Sequence, residues 1–285
     1  MRESSQQGAF SSISGAKARS FLRVGVARSA DSFYFSPIAS NQLDDKEMWL
    51  DALFRKKPAS PADLPDAVKT YFLQRPPRKS APIAELRFVV FDTETTGLER
   101  RKGDRLLSIG AVGMKGGRID LNDTFYAVVN PDNQCAPAET VKVHFITPSE
   151  TIAAPSVAEV LPKFLSFIGG DVLIAHHALF DVGFIGYEMK RLYGRELFNY
   201  FLDTVELAHA VDSAELSSQY LLLNPHKMEE YELEKLCEKY RIPCETRHDA
   251  LADAFVTAQI AARLFKRFDK IGARTLRDLL LLKRT

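Results

Sequence analysis

The stretch Phe88-Val89-Val90-Phe91-Asp92-Thr93-Glu94-Thr95-Thr96-Gly97-Leu98 constrains this chain more than any other. Four consecutive apolar residues, aromatic and β-branched, specify a strand covered on both faces. That strand runs into two acids separated by one residue. Side chains alternate across a strand, so Asp92 and Glu94 share a face and lie side by side. Neighbouring carboxylates repel, and such a pair persists where a cation or a shared proton sits between them. A plain strand end with Thr-Gly turn chemistry accounts for the same letters about equally well. Taken alone, the segment leaves both readings open.

A length of 285 residues suits one large domain, or one domain with an appendage. At 46% hydrophobic residues the chain can bury a substantial core, and no apolar run approaches membrane-spanning length. The three cysteines, Cys135, Cys237 and Cys244, lack C-x-x-C spacing and point to neither a zinc site nor a disulfide framework. A reducing, cytoplasmic compartment fits them best. The formal charge of +1 divides unevenly. Residues 1–80 carry thirteen Lys/Arg against eight Asp/Glu, whereas residues 81–285 carry twenty-five against twenty-nine. The larger part is mildly acidic, so it must meet a polyanion through local patches or bound cations.

Residues 1–40 are rich in Ser and Arg, nearly acid-free and aperiodic, the composition of a disordered tail. An organellar transit peptide has a similar composition. Phe33-Tyr34-Phe35 and Pro37 fit poorly with the single amphipathic helix that a transit peptide needs. Residues 41–80 read as a helical appendage and linker. Asp44 to Phe54 places Trp49, Leu50, Leu53 and Phe54 on one stripe, Asp66 to Leu73 follows Pro65, and Arg75 to Ser80 is stiff and basic. Residues 81–285 form the main domain.

Within that domain, strands are expected at Leu106–Val112 and Leu121–Val129, joined through a turn at Lys115-Gly116-Gly117-Arg118. A helix from Ser156 to Ile168 leads to a strand at Val172–Ala175, and a second helix runs to about Tyr193. The charged loop Glu99–Arg105 is either a solvated hairpin tip or a phosphate contact. Asp203 opens a strand–helix unit, where it suits a cap. Gln219–Leu223 reads as an apolar loop edge, with a clamp-binding peptide as the sharper alternative. Glu230–Tyr240 is amphipathic, with Leu233 and Leu236 inward, and one short helix starts at Thr275. In a continuous helix, residues five apart are rotated by roughly 140°. His248 therefore belongs to a loop, and Asp253 to the opening turns of the helix that follows. Ala250, Ala252, Ala254, Ala258 and Ala261 keep that helix slim enough to approach a sheet.

Three segments, in order, resemble the motifs of the DEDDh 3′→5′ exonucleases, within the proofreading-exonuclease superfamily. Phe91 to Leu98 resembles the first. Ala175-His176-His177-Ala178-Leu179-Phe180-Asp181 resembles the second, commonly His-Asn-Ala-x-Phe-Asp, with His177 where Asn is usual. Arg247-His248-Asp249-Ala250-Leu251-Ala252-Asp253 matches the third, His-x-Ala-x-x-Asp. His144-Phe145-Ile146-Thr147 resembles a segment bordering the family's active site. The resemblance covers roughly residues 86–268.

It implies a ribonuclease-H-like α/β fold: a mixed five-stranded sheet, three strands antiparallel and two parallel, with helices on both faces. It also implies that Asp92, Glu94, Asp181 and Asp253 hold two Mg²⁺ or Mn²⁺ ions. Hard oxygen donors suit those metals, and four carboxylates balance two divalent ions. His248 would be the general base, since imidazole ionises near neutral pH. Thr95, Thr96, Gly97 and Leu98 would line the terminal nucleotide, with His144, His177 and Phe180 around them.

The implied activity is phosphodiester hydrolysis from the 3′ end of single-stranded DNA or RNA, releasing nucleoside 5′-monophosphates. The implied partners are nucleic acid with a free 3′ end and a replication polymerase or repair protein. A short-RNA trimming exoribonuclease and a non-enzymatic polymerase-associated scaffold are the alternatives.

Overall fold

The computed structural model describes residues 63–132, 146–215, 228–244 and 248–282. The expected tail, the helix at 44–54, His144 and the segment 219–223 lie outside the described residues. In chain order the elements are α1 (Asp66–Leu73), β1 (Arg87–Thr95), β2 (Leu106–Lys115), β3 (Arg118–Val128), α2 (Pro148–Ala153) and α3 (Val157–Ile168). There follow β4 (Val172–Ala175), α4 (Ala178–Tyr193), β5 (Phe201–Asp203), α5 (Thr204–Glu215), α6 (Leu233–Tyr240), α7 (Ala250–Phe268) and α8 (Leu276–Leu282). No helix among the described residues is long and apolar enough to cross a membrane.

The strands form one five-stranded sheet in the order β3-β2-β1-β4-β5. β1, β2 and β3 pair antiparallel, while β4 runs parallel to β1 and β5 parallel to β4. The apolar run of β1 is explained by its central place. Phe88 and Val90 enter one core with Val112, Ile174, Leu202 and the inner faces of α5, α6, α7 and α8. Val89 and Phe91 enter the other, with Ile109, Leu173 and the inner faces of α1, α3 and α4. A strand buried on both faces has no polar side to show.

β3 begins three residues before the apolar pattern predicts. Arg118, Ile119 and Asp120 pair with Lys115, Met114 and Gly113, and a register shift separates them from the pairing that resumes at Thr124. One unbroken alternation therefore does not run through to the start of the strand. Pairing from Arg118 is set by the turn, where Gly116 and Gly117 take φ of 56° and 73°. At the start of β1, the Arg87 guanidinium donates to both Asp123 carboxylate oxygens at 2.8 and 2.9 Å. That fork pins the end of the strand opposite the acids.

Helix α1 packs into the second core through Val68 and Tyr71, with Leu64 just before it. The Tyr71 hydroxyl donates to Asn199 Oδ1 at 2.6 Å and accepts from Phe198 N–H at 3.2 Å, and its ring stacks on Phe198. A phenol buried this way needs such a partner.

Candidate active site

Asp92 stands opposite Gly110 on β2, and Glu94 opposite Ser108. Both acids are half-buried and share the sheet face that α7 covers. Gly110 makes that cover possible. A Cβ placed there would come within 2.2 Å of the Ala250 carbonyl carbon and the Leu251 nitrogen. Only a glycine lets the first turn of α7 lie against the strand.

The start of α7 is built from its own polar residues. Asp249 caps the helix by accepting from Ala252 N–H at 2.8 Å. His248 takes a left-handed φ of 65°, and its N–H donates to Asp253 Oδ2 at 2.9 Å. The loop and the first helical turn are thus locked together. One ligand atom from each of Glu94, His248 and Asp253 lies within 4.8 Å of the other two. The loop position expected for His248 and the helical position expected for Asp253 are both observed.

Asp181 arrives from the other side of the sheet. Its Oδ1 accepts from the N–H and the hydroxyl of Thr93, at 2.9 and 2.7 Å. Thr93 sits between Asp92 and Glu94 and points to the opposite face. Asp181 does not cap α4. His177, with φ of 55°, occupies the cap position, and Asp203 serves the helix start by accepting from Ala178 N–H at 2.9 Å. Asp203 also accepts from Val205 N–H at 2.9 Å, so the cap expected of it is observed and is shared between two helices.

Asp181 is 2% exposed, and burial pushes its carboxyl up to about 7. The Thr93 hydrogen bonds oppose that rise, and the charge of Asp203 adds to it. A carboxyl so placed is ionised at neutral pH most readily with a cation beside it. Asp92, Glu94, Asp181 and Asp253 offer only oxygen, which fits Mg²⁺ or Mn²⁺.

The remaining residues are placed as follows. Thr95 and Thr96 are buried, their hydroxyls turned to Gly97 C=O and to Asp104. A Cβ on Gly97 would meet the Asp104 carboxylate at 2.5 Å. Leu98 projects outward and is 78% exposed. Phe180 is half-buried, 5.0 Å from the Phe184 ring. The charged loop forms one short turn over Arg100–Lys102, and the Arg100 guanidinium lies over Gly183, two residues beyond Asp181. The loop thus sets a cation against the acid-bearing helix.

Sequence reasoning passed over Thr93, Gly110 and Gly183. A lone glycine in an apolar strand signals close backbone approach, so Gly110 could have been found. Thr93 and Gly183 become visible only through the contacts they make.

A family model described as "Exonuclease" (RNase_T) matches residues 89–261. A DNA polymerase III subunit epsilon-like protein of Rhodobacter capsulatus is 37% identical over 196 residues, covering 68% of this chain and 26% of that protein. A PolC-type DNA polymerase III of Caldanaerobacter subterraneus is 37% identical over 195 residues, covering 68% of this chain and 13% of that protein. The chain therefore spans about a quarter or less of the length of these relatives. Among solved structures, E. coli Exonuclease I in complex with a dA16 oligonucleotide shares the fold. Its TM-score is 0.54 at 18% identity, over 66% of this chain and 42% of that one. Cell-death related nuclease 4 matches with a TM-score of 0.53 at 18% identity, over 67% of each chain. On a family model that takes in more than half of its length, the chain belongs to the RNase_T exonuclease family.

Proposed function

We propose that this protein is a metal-dependent 3′→5′ exonuclease that removes nucleoside 5′-monophosphates from the free 3′ end of single-stranded DNA. The observation that carries this reading is the convergence of Glu94, His248 and Asp253 within 4.8 Å, with Asp92 two residues before Glu94 on β1. The buried Asp181 is tied to Thr93, between those two acids. Two divalent ions held by the four carboxylates would supply positive charge at the phosphate and at the departing oxygen.

The chain's own residues supply the rest. His248 takes the proton of the attacking water as the water oxygen bonds to phosphorus and the bond to the 3′ oxygen breaks. The departing 3′ oxygen takes a proton from solvent. The backbone N–H of His248 donates to Asp253 Oδ2 at 2.9 Å, which fixes the loop carrying the base against the acid cluster. Leu98 meets the terminal base from its exposed position, the backbone of Thr95 to Gly97 lines the sugar, and Phe180 and His177 border the same pocket. Arg100 is suited to the phosphate one step upstream.

DNA is favoured over RNA because the relatives named above are DNA polymerase proteins, and the same names support a polymerase as partner. Cys244, a thiol outside any disulfide, is consistent with a reducing, cytoplasmic setting. The test is incubation with 5′-labelled DNA and RNA oligomers, with and without Mg²⁺. Metal-dependent shortening from the 3′ end, faster on DNA, is expected. Internal cleavage or equal rates in chelator would overturn the reading.

A further inference from the structure

We propose that His176, His177 and Glu232 form a second metal site, distinct in its donor set from the four carboxylates and suited to Zn²⁺. It uses none of the four carboxylates and not His248, and shares only His177 with the substrate side of the exonuclease reading. β4 lies parallel beside β1 with Ile174 opposite Val90, so His176 and His177 follow β4 at the same sheet end as Asp92. Glu232 is the residue at the N-terminal cap of α6. One ring nitrogen of each histidine and one oxygen of Glu232 lie within 4.8 Å of one another.

The donors stand near one another without a hydrogen bond joining His177 to Glu232. His177 Nε2 stands 3.8 Å from Glu232 Oε2, beyond hydrogen-bond range. Two donors each about 2.0–2.1 Å from a tetrahedral ion stand about 3.3 Å apart, so a small inward movement of exposed side chains closes the site. The histidine rings meet edge to face, with centroids 4.6 Å apart and planes at 70°.

The two histidines are held in advance of any ion. The left-handed backbone of His177 is fixed by Asp203, which accepts its N–H at 3.2 Å and that of Ala178 at 2.9 Å. His176 Nδ1 lies 2.9 Å from Thr204 Oγ1. A partner on one ring nitrogen is what orients a metal-binding imidazole through the other.

The donor set separates this site from its neighbour. Two imidazoles and a carboxylate are a zinc set with a fourth position open, whereas four carboxylates suit Mg²⁺ or Mn²⁺. The open position would take water or a phosphate oxygen. On this reading His177 is a ligand, a role that the amide usual at its position fills poorly.

The test is Zn²⁺ titration of the full chain by calorimetry in excess Mg²⁺, with Co²⁺ absorption as a second readout of coordination. The expected result is Zn²⁺ binding that persists in Asp92→Asn and weakens more than about tenfold in His177→Asn and in Glu232→Gln. Thr204→Val should weaken it about tenfold, the usual effect of losing an outer-shell partner. Both ligand substitutions fall on exposed side chains, 53% and 55% accessible, and circular dichroism checks their folding. Unchanged affinity in both of them, no Zn²⁺ binding by the wild type, or loss of binding in Asp92→Asn alone would overturn the proposal.

Discussion

A carboxyl buried as deeply as Asp181 ionises only by giving up its hydration. Its folded-state value of about 7, against an ordinary 3.8, means that the fold favours the protonated form. The stability this group contributes is complete below about pH 4 and is lost as pH rises through about 7. The melting temperature of the metal-free protein should therefore fall across that window more steeply in wild type than in Asp181→Asn. Mn²⁺ competes with the proton, so its stabilising effect should be larger on the alkaline side. Parallel melting curves for the two proteins in chelator would refute the assignment.

At His248 the expectation concerns rate. His248→Ala should lower kcat by roughly 100- to 10,000-fold, the usual worth of a general base. His248→Asn should do the same while tolerating the left-handed backbone, which separates lost chemistry from strain. Calorimetry should find Mn²⁺ affinity close to wild type in both variants. A collapse of that affinity would make His248 a ligand instead.

Among the elements, α7 matters most, because Asp253 reaches the other acids only if the helix lies flat on β2. Gly110→Ala puts a methyl group into the Ala250–Leu251 backbone, an overpacking that destabilises by about 1–3 kcal/mol. The displaced helix should also carry Asp253 away, lowering Mn²⁺ affinity. Urea unfolding and Mn²⁺ titration check the two effects, and wild-type values in both would show that the helix can shift freely.

The legibility of the sequence follows the same physics. β1 was readable because burial on both faces leaves only apolar letters, and α7 because helical rotation separates His248 from Asp253. The start of β3 was hidden by a register shift that breaks its alternation. The cap of α4 was harder to read because the residue that serves it, Asp203, lies twenty-five positions along the chain from Ala178. Thr93 and Gly183 act through partners that only the fold brings near.

At the scale of the whole molecule, charge decides how substrate is held. Residues 81–285 carry more acids than bases, so affinity for a polyanion must come from bound cations and a few local groups such as Arg100. Residues 1–40 hold five Lys/Arg against two acids and can add salt-dependent attraction. Their removal should raise KM at low salt and leave kcat on a short strand unchanged. A loss of kcat at high salt would mean that they build part of the site.

The claim that the acids at the end of β1 carry the chemistry meets its most direct test in Asp92→Asn. The substitution keeps the shape of the side chain and relieves repulsion among the acids, so the fold should melt at or above the wild-type temperature. Single-turnover cleavage of a 5′-labelled oligonucleotide in Mn²⁺ is the measurement. The structure predicts that the folded variant leaves the strand intact while the wild type shortens it from the 3′ end. Cleavage by Asp92→Asn at the wild-type rate would contradict the account.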